Sequence, residues 1–361
     1  MKILYLLIGI TETSMAYNEL VLPLAGKHNI AVCSFFPFLG ERNMSVNYRE
    51  GDGTLGGFIR VVSGIVRSGK FDVVHCHSPH LAAIWALVLL GKGRIDLLKH
   101  TLLTVHSSYA NYKPRNRILL LLSFLVVRKI VFVSRSSLES FPWFFRAIAG
   151  KKASVIKNCV NLNRIDRVIR SFRPEAGKKG AMRVICAAQQ IKAKDLGVLL
   201  SAFYGFSGLG DELVLVGDGP LRQKLERKAE MLGIGERVRF LGIVNREQIY
   251  RLFCDSDIFV SSSKIEGLPV APLEAMACRC PVILSDIAPH KEIAEDNSGV
   301  VFFKQGDSRE LAGILKVFRT LERNEIQHLT HKSRKHIETN FPLENMNRAY
   351  ESIYEEIGDK R

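Results

Sequence analysis

The 361-residue chain lacks the features of a small stapled or metal-folded protein. Its seven cysteines (Cys33, Cys76, Cys159, Cys186, Cys254, Cys278 and Cys280) include no C-x-x-C pair. An odd, scattered set argues against a disulfide framework or a zinc ribbon and for a reducing compartment. Long apolar runs are missing too. One apolar run, Ile118 to Val127, is interrupted by Ser123 and is too short to cross a bilayer as a helix. The apolar stretch Ile3–Ile8 is shorter than a signal peptide's core and no small-residue cleavage site follows it, so it reads as a first buried strand. There is no heptad repeat and no low-complexity tract. The loop after the first strand has no G-x-G-x-x-G, which argues against a dinucleotide fingerprint. No nucleic-acid-binding signature is present and aromatics do not alternate with the basic residues, so nucleic acid is not the expected partner.

Acidic residues are scarce in one half only. Residues 1–180 carry 26 Lys and Arg against 10 Asp and Glu, whereas residues 181–361 carry 25 against 26. The first half is therefore either an ordinary domain with a basic surface or one whose basic face meets an anionic partner such as phospholipid headgroups or a lipid-linked phosphate. Within it, Phe141, Pro142, Trp143, Phe144 and Phe145 stand among Arg135, Arg146, Lys151 and Lys152. That mixture suits either a membrane interface or a core-packing helix.

With 47% hydrophobic and 24% charged residues, the rest of the composition is globular. Apolar strand-like runs alternate with amphipathic stretches throughout. Strands are expected at Ile3–Ile8, Ile30–Phe35, Asp72–His75, Leu102–His106, Ile130–Val133 and Ala153–Ile156, and again at Arg183–Ala187, Glu212–Val216, Val238–Leu241, Asp257–Val260, Pro281–Leu284 and Val300–Phe303. Strands this apolar are buried on both faces, and the helices between them act as crossovers. The pattern predicts an α/β protein of two Rossmann-like, doubly wound parallel-sheet domains. The boundaries expected are 1–173 and 181–341, with a polar, Gly- and Pro-containing linker at Ser171–Gly180. A C-terminal helix over 342–361 is expected to pack back on the first domain. Ligands bind beyond the carboxyl ends of such strands, so the chemistry is expected in strand-to-helix loops facing a cleft.

The most informative segment runs from Ser261 to Glu274. A strand leads into a polar loop shaped by Gly267 and Pro269, and a helix begins near Val270 with Pro272 in its first turn. The first-turn amides and the positive end of the dipole suit an anion. Glu266 precedes this helix and Glu274 lies just inside it. Two carboxylates flanking a helix start can grip sugar hydroxyls while amides face phosphate. On spacing alone, Glu274 can equally serve the dipole and Glu266 can be a solvated loop residue.

The neighbouring residues add a resemblance. Glu266-Gly-Leu-Pro-Val-Ala-Pro-Leu-Glu-Ala-Met-Ala277 followed by Cys280-Pro-Val-Ile283 resembles the E-x7-E signature of family-four retaining glycosyltransferases with the GT-B fold. Val214-Leu-Val-Gly-Asp-Gly-Pro220, Val238-Arg-Phe-Leu-Gly242, Asp257-Ile-Phe-Val-Ser-Ser262 and Ile287-Ala-Pro-His-Lys-Glu-Ile293 fit the same family. Asp72-Val-Val-His-Cys-His77, Thr104-Val-His106 and Val155-Ile-Lys-Asn-Cys-Val160 match weaker stretches of its first domain.

The resemblance implies a metal-independent transferase that moves a sugar from a UDP- or GDP-sugar to an acceptor hydroxyl, expected on a lipid-linked saccharide of envelope or exopolysaccharide synthesis. Donor contacts then fall on Gln189, Lys194, Gly217, Gly242, Glu266, Gly267, Leu268, Pro269, Val270 and Glu274. Glu266, His106 and Lys194 are the expected catalytic residues. Glu266 touches the donor sugar, Glu274 the ribose and Lys194 the diphosphate. The family's basic pair is an Arg followed five residues later by a Lys; here Gln189 takes the Arg place, with Lys192 nearby as a point charge lacking the planar fork. A departing diphosphate needs fixed cations and amides where no metal serves it, and no Asp-x-Asp motif is present, so no cofactor or metal is expected. Gly9, Thr11 and His106 are the expected acceptor-side residues, with Thr13 beside them, although the family's second loop glycine is missing. A strand-end His such as His106 is otherwise a structural hydrogen-bonder. His75, Cys76, His77 and His80 invite a metal reading, but no clear carboxylate partner stands with them. The location expected is cytoplasmic, at the inner face of the cytoplasmic membrane. A non-catalytic GT-B subunit and a nucleotide-sugar epimerase of the same fold are the alternatives.

Overall fold

In a computed structural model of the chain, residues 1–11, 14–173, 181–295 and 299–358 are described. Thr13 and residues 174–180 of the expected linker lie outside them. The chain divides into two compact units, one of Met1–Asn158 with Leu343–Arg361 and the other of Cys159–Pro342.

The first unit holds a seven-stranded, wholly parallel sheet in the order β3-β2-β1-β4-β5-β6-β7. The strands are β1 Lys2–Leu7, β2 Asn29–Ser34, β3 Val46–Glu50, β4 Val73–Cys76, β5 Thr101–Val105, β6 Lys129–Phe132 and β7 Ala153–Val155. The central strands β4 and β5 are buried along their whole length, as expected where helices cover both faces. β3 is the strand the sequence pattern does not predict. Its sequence Val-Asn-Tyr-Arg-Glu has one buried residue, because it pairs only with β2 and its far edge is unpaired within the sheet.

The aromatic stretch from Phe141 to Phe145 falls at two helices, Arg135–Glu139 and Trp143–Ala149, broken at Phe141-Pro142. A residue before proline is pushed out of the helical region, which ends the first of them. Phe141 and Phe145 point into the core with Phe124 and Phe132, while Trp143 is 74% exposed.

The C-terminal helix Leu343–Gly358 packs on this unit through a buried polar web. Tyr354 OH lies 3.0 Å from Tyr5 OH and 2.8 Å from His75 Nδ1. His75 Nε2 lies 2.7 Å from Thr104 Oγ1, which lies 3.2 Å from Tyr350 OH. Both ring nitrogens of His75 are thus occupied by hydroxyls, and Cys76 sits in the apolar core. Among the described residues no group of three His, Cys, Asp or Glu is arranged to hold a metal ion.

The second unit holds a six-stranded parallel sheet in the order β10-β9-β8-β11-β12-β13. The strands are β8 Arg183–Ala187, β9 Glu212–Val216, β10 Val238–Gly242, β11 Ile258–Ser261, β12 Val282–Ser285 and β13 Val301–Phe303. The chain passes to the other side of the sheet between β10 and β11, so β8 and β11 flank the switch point where doubly wound sheets open a crevice for ligands.

The boundary differs from the 171–180 linker expected. Helix Leu162–Ser171, capped by Asn161 Oδ1 accepting from Arg164 N at 2.9 Å, belongs to the second unit and packs on helices Arg246–Cys254 and Val270–Ala277. Asp166 also takes an ion pair from Arg334 at 2.8 Å. The chain crosses between units beside Asn158 and again beside Leu343. This moves Arg164, Arg167, Arg170 and Arg173 out of the basic half, leaving net charges of +10 and +5 on the two units.

Candidate active site

In the second unit, the loops after β8 and β11 meet at the switch point. After β8 the chain forms a turn at Lys192–Lys194 and enters helix Leu196–Phe206 through Asp195, which is left-handed with φ 46°. Ser262 Oγ bridges the Lys194 and Asp195 carbonyls at 3.1 Å each, and Lys264 N donates to Ala193 O at 2.7 Å. These bonds lock the Lys194 turn to the loop after β11. Lys194 Nζ then reaches Glu266 Oε1 at 2.5 Å, and Ser263 Oγ donates to the same oxygen at 2.7 Å. Glu266 is 8% exposed. The solvated-loop alternative for Glu266 therefore fails: it is a buried carboxylate with a cation and a hydroxyl on it. Beside it, Cys186 on β8 is held up at about 12, by burial first and then by the Glu266 charge, with Lys194 opposing.

Glu274 lies in the second turn of helix Val270–Ala277, whose first turn takes no side-chain cap. Its Oε1 accepts from Arg246 Nη1 at 2.7 Å and from Tyr250 OH at 3.0 Å, and it is 7% exposed. Both partners come from helix Arg246–Cys254, which starts with a complete capping box between Asn245 and Gln248. Burial first, and the adjacent Glu274 charge second, push the Tyr250 hydroxyl up, so it stays a proton donor. Neither Arg246 nor Tyr250 was legible as a partner of Glu274, since a helix 24 residues upstream carries no spacing signal for that contact.

Of the glycines expected at the site, Gly217 marks a backbone crossing, and its neighbour Gly219 marks another. Gly217, with φ 114°, lies where a Cβ would sit 2.3 Å from Ala188 O, and Gly219 where one would sit 2.6 Å from Gln190 O. Gly217 N donates to Gly242 O at 2.7 Å, joining the loops after β9 and β10. Gln190, not Gln189, is the buried member of its pair: its Nε2 donates to Gly217 O at 2.9 Å. Gln189 and Lys192 are exposed. Gly267 and Leu268 are buried and Pro269 and Val270 are half-buried where the loop turns into its helix.

In the first unit, the corresponding switch point lies between β1 and β4. His106, exposed at the end of β5, stacks on His77 with ring centroids 5.3 Å apart, and His106 Nε2 lies 3.0 Å from His77 Nδ1. Burial and then the neighbouring His75 and His106 rings hold His77 well below the usual imidazole range, so it is neutral at physiological pH. Gly9 is half-buried after β1, and Thr11 is tied to Ser14 through its amide at 2.9 Å and its hydroxyl at 3.2 Å.

A different groove lies at the amino ends of β8, β9 and β11, lined by Arg183, Asp211, Glu212, Asp255 and Asp257 among others. Several of its charges are paired, Arg183 with Glu212 at 2.7 Å and with Asp255, and Arg319 with Asp211. It faces away from the strand ends that carry Lys194 and Glu266.

Family patterns match in the same order as the two sheets. The family described as Glycosyltransferase Family 4 matches residues 44–164, and that described as Glycosyl transferases group 1 matches residues 168–337. The chain belongs to the family-four glycosyltransferases. It is an enzyme of that class with the GT-B fold. This glycosyltransferase is 28% identical over 291 residues to EpsF, named as a glycosyltransferase in Bacillus subtilis (strain 168), over 76% of this chain and 69% of the relative. It is 30% identical over 142 residues to AmsK, the amylovoran biosynthesis glycosyltransferase of Erwinia amylovora, over 37% of this chain and 35% of the relative. Among solved structures, HepE of Anabaena, in complex with UDP and glucose, superposes with a TM-score of 0.81 at 18% identity, over 98% of this chain and 99% of that one.

Proposed function

We propose that this glycosyltransferase takes a sugar from a UDP- or GDP-sugar and places it on an acceptor hydroxyl with retention at the anomeric carbon, without a metal. The observation that carries the reading is the buried Lys194–Glu266 pair at the switch point of the second sheet. HepE, of the same fold, holds UDP and glucose, which supports a UDP-sugar as the first donor to try.

In this reading the donor diphosphate takes over Lys194 Nζ, and the first-turn amides of helix Val270–Ala277 face the same negative charge. Glu266, released from Lys194 but still held by Ser263, accepts hydroxyl protons of the donor sugar. Glu274 keeps Oε1 on Arg246 and Tyr250, so its carboxylate is fixed in orientation when it meets the ribose hydroxyls. Retention follows if the acceptor attacks on the face the nucleotide leaves, the departing phosphate oxygen taking the acceptor's proton. His106 and Gly9 then line the acceptor side. With Gln189 in place of the family's arginine, Lys194 provides the fixed cation for the diphosphate.

The acceptor proposed is a lipid-linked saccharide of envelope or exopolysaccharide synthesis, met at the cytoplasmic membrane face. What supports membrane docking is a set of exposed apolar residues on the first unit. Ile118 and Trp143 are each 74% exposed and Leu125 is 55% exposed, with exposed Arg115, Arg128 and Arg146 nearby in sequence. The packed helices Arg117–Val126 and Trp143–Ala149 carry all three apolar residues.

A thermal-shift screen of UDP, GDP and their sugars tests the donor reading, because a ligand that binds the native state raises its melting temperature. A rise with one nucleotide and its sugars is expected. No shift with any of them, at concentrations far above ordinary donor affinities, refutes it. Product analysis then separates transfer from epimerisation: a glycosylated acceptor with free UDP or GDP marks the transferase.

A further inference from the structure

His77 stands at the carboxyl end of β4, where its amide still pairs with Leu6 O at 3.0 Å. His106 stands at the corresponding end of β5, the next strand in the sheet. Neighbouring strands lie about 4.8 Å apart, so side chains that leave the two strand ends together can meet. They do: His77 Nδ1 lies 3.0 Å from His106 Nε2. Two rings fix His77 in that contact. The His75 ring lies against it with centroids 3.9 Å apart, and the Tyr5 ring stacks on it at 5.9 Å. His75 is in turn held by hydroxyls at both of its nitrogens, one of them from Tyr354 of the C-terminal helix.

The contact between the two rings holds one proton. Two bare nitrogens 3.0 Å apart would repel and two N–H groups would collide, so one ring donates and the other accepts. Above the ordinary imidazole range both rings are neutral, and each carries a single N–H. The far nitrogen of His77 decides the direction. Its Nε2 is shielded from water and has no hydrogen-bond partner among the described residues. If His106 donated, the His77 proton would have to sit on Nε2, as a buried N–H among atoms that do not accept it. Orphaned buried N–H groups are rare, and a proton there needs room that a bare nitrogen does not. With the proton on Nδ1, the same Nε2 is only an unused lone pair. His77 Nδ1–H therefore donates to His106 Nε2, and the His106 proton is left on Nδ1. That nitrogen has no partner among the described residues, and the ring that carries it is exposed.

We propose that His77 is a positioning residue that fixes His106 as its Nδ1–H tautomer, so that His106 meets substrate as a neutral hydrogen-bond donor with no free lone pair. His77 acts only through His106. This rests on the reading of His106 as a residue that faces substrate. It adds that His106 does not take the acceptor's proton, because its one basic nitrogen is spent on His77. The departing phosphate oxygen is then the group that takes that proton. A histidine that merely filled space beside His106 would leave the His106 tautomer to solvent.

Two measurements on the full chain test this. In the first, nitrogen-15 NMR of the histidine rings, at about pH 8 where imidazole is neutral, reads both tautomers. The signals are assigned by their loss in His77→Asn and in His106→Asn. The Nδ1–H form is expected for both rings, with His77 Nε2 resonating as an unbonded imine nitrogen. In His77→Leu the His106 ring is expected to change to the Nε2–H form that a solvated imidazole prefers. His106 as Nε2–H in the wild type, or an Nδ1–H form that persists in His77→Leu, overturns the proposal whatever the donor is. In the second, release of UDP from UDP-glucose is followed. His106→Leu is expected to lower kcat about tenfold, whereas His106→Asn, whose amide puts an N–H where Nδ1 stood, stays within about threefold of wild type. His77→Leu is expected to lower kcat about fivefold, and His77→Asn, which still carries a donor for His106 Nε2, recovers most of it. A His106→Asn variant as slow as His106→Leu, or leucine and asparagine equal at 77, overturns the proposal. If the wild-type chain releases no UDP, the donor reading fails, and the NMR result alone decides the tautomer.

Discussion

Replacing Lys194 by methionine isolates the charge that Glu266 depends on. The pair is 2.5 Å long, and the two side chains are 18% and 9% exposed, so solvent screens it weakly. Removing one partner of a buried pair costs about 3–5 kcal/mol, because the remaining charge stays desolvated. Ser263 still donates to Glu266 Oε1 in the variant, which places the expected loss near the lower bound, about 3 kcal/mol. The reverse change, Glu266→Gln, is expected to cost about 1 kcal/mol. The glutamine oxygen keeps the Ser263 bond, and a lysine can swing its ammonium to water. The double variant should recover part of the lysine loss, giving a coupling of about 2 kcal/mol. Urea unfolding of the full chain followed by circular dichroism measures this. Trp85 and Trp143 both lie in the first unit, so tryptophan fluorescence is a reference that a change in the second unit leaves less affected. A Lys194→Met variant within about 0.5 kcal/mol of wild type, or singles that simply add, refutes the pairing. With donor present, the same variant should lose about 10²–10³ in kcat/KM, the scale for removing one group that stabilises developing charge.

Four further outcomes are expected. His290 is held below its unfolded value of 6.5, at about 4, so the unfolded chain binds the extra proton between those two pH values. Its stabilising contribution is full above about pH 6.5 and is lost as pH falls toward 4, by up to about 3 kcal/mol, and His290→Asn should flatten that part of a denaturation–pH profile relative to wild type. Arg246→Ala leaves the buried Glu274 without its guanidinium and should weaken UDP binding about tenfold by calorimetry, whereas Tyr250→Phe should weaken it less, because one neutral donor is lost. Gly217→Ala forces a Cβ to within 2.3 Å of Ala188 O at φ 114°, and should destabilise the chain by about 2–4 kcal/mol in the same urea assay. Replacing Trp143 and Ile118 together by serine should abolish co-sedimentation with anionic phospholipid vesicles at low salt while leaving UDP release from UDP-glucose intact; wild-type protein that stays in the supernatant refutes the docking surface.

The elements legible in the sequence were those whose physics is local. Every one of the twelve apolar runs became a strand, because a parallel strand covered on both faces must be apolar along its length. Val46–Glu50 escaped because an edge strand with one buried residue carries no such run. Helix Leu162–Ser171 escaped because its polar, Arg-rich sequence carries no apolar run, and its apolar side becomes evident only where Ile165 and Val168 are buried. The unit boundary followed that error, and so did part of the charge asymmetry.

The site divides along the same line. Glu266 and Glu274 were visible because a strand, a turn residue and a helix start lie within one segment of sequence. What makes each of them more than a loop acid was not visible. Lys194 lies 72 residues from Glu266, and Arg246 lies 28 from Glu274. The doubly wound order puts the ends of β8, β11 and β12 side by side, so the topology and not the spacing assembles these partners. The consequence is that the two acids have different freedom. Glu274 is held by a helix that also packs against Leu162–Ser171, a support independent of the β8 loop. Glu266 is held partly by the very lysine that a diphosphate would claim. A bound nucleotide should therefore change the surroundings of Glu266 and leave the Arg246–Glu274 contact in place. Carbon-13 carboxyl signals of the two glutamates, followed as UDP is added, measure that difference. A Glu266 signal that stays fixed while UDP saturates would remove Lys194 from the diphosphate site.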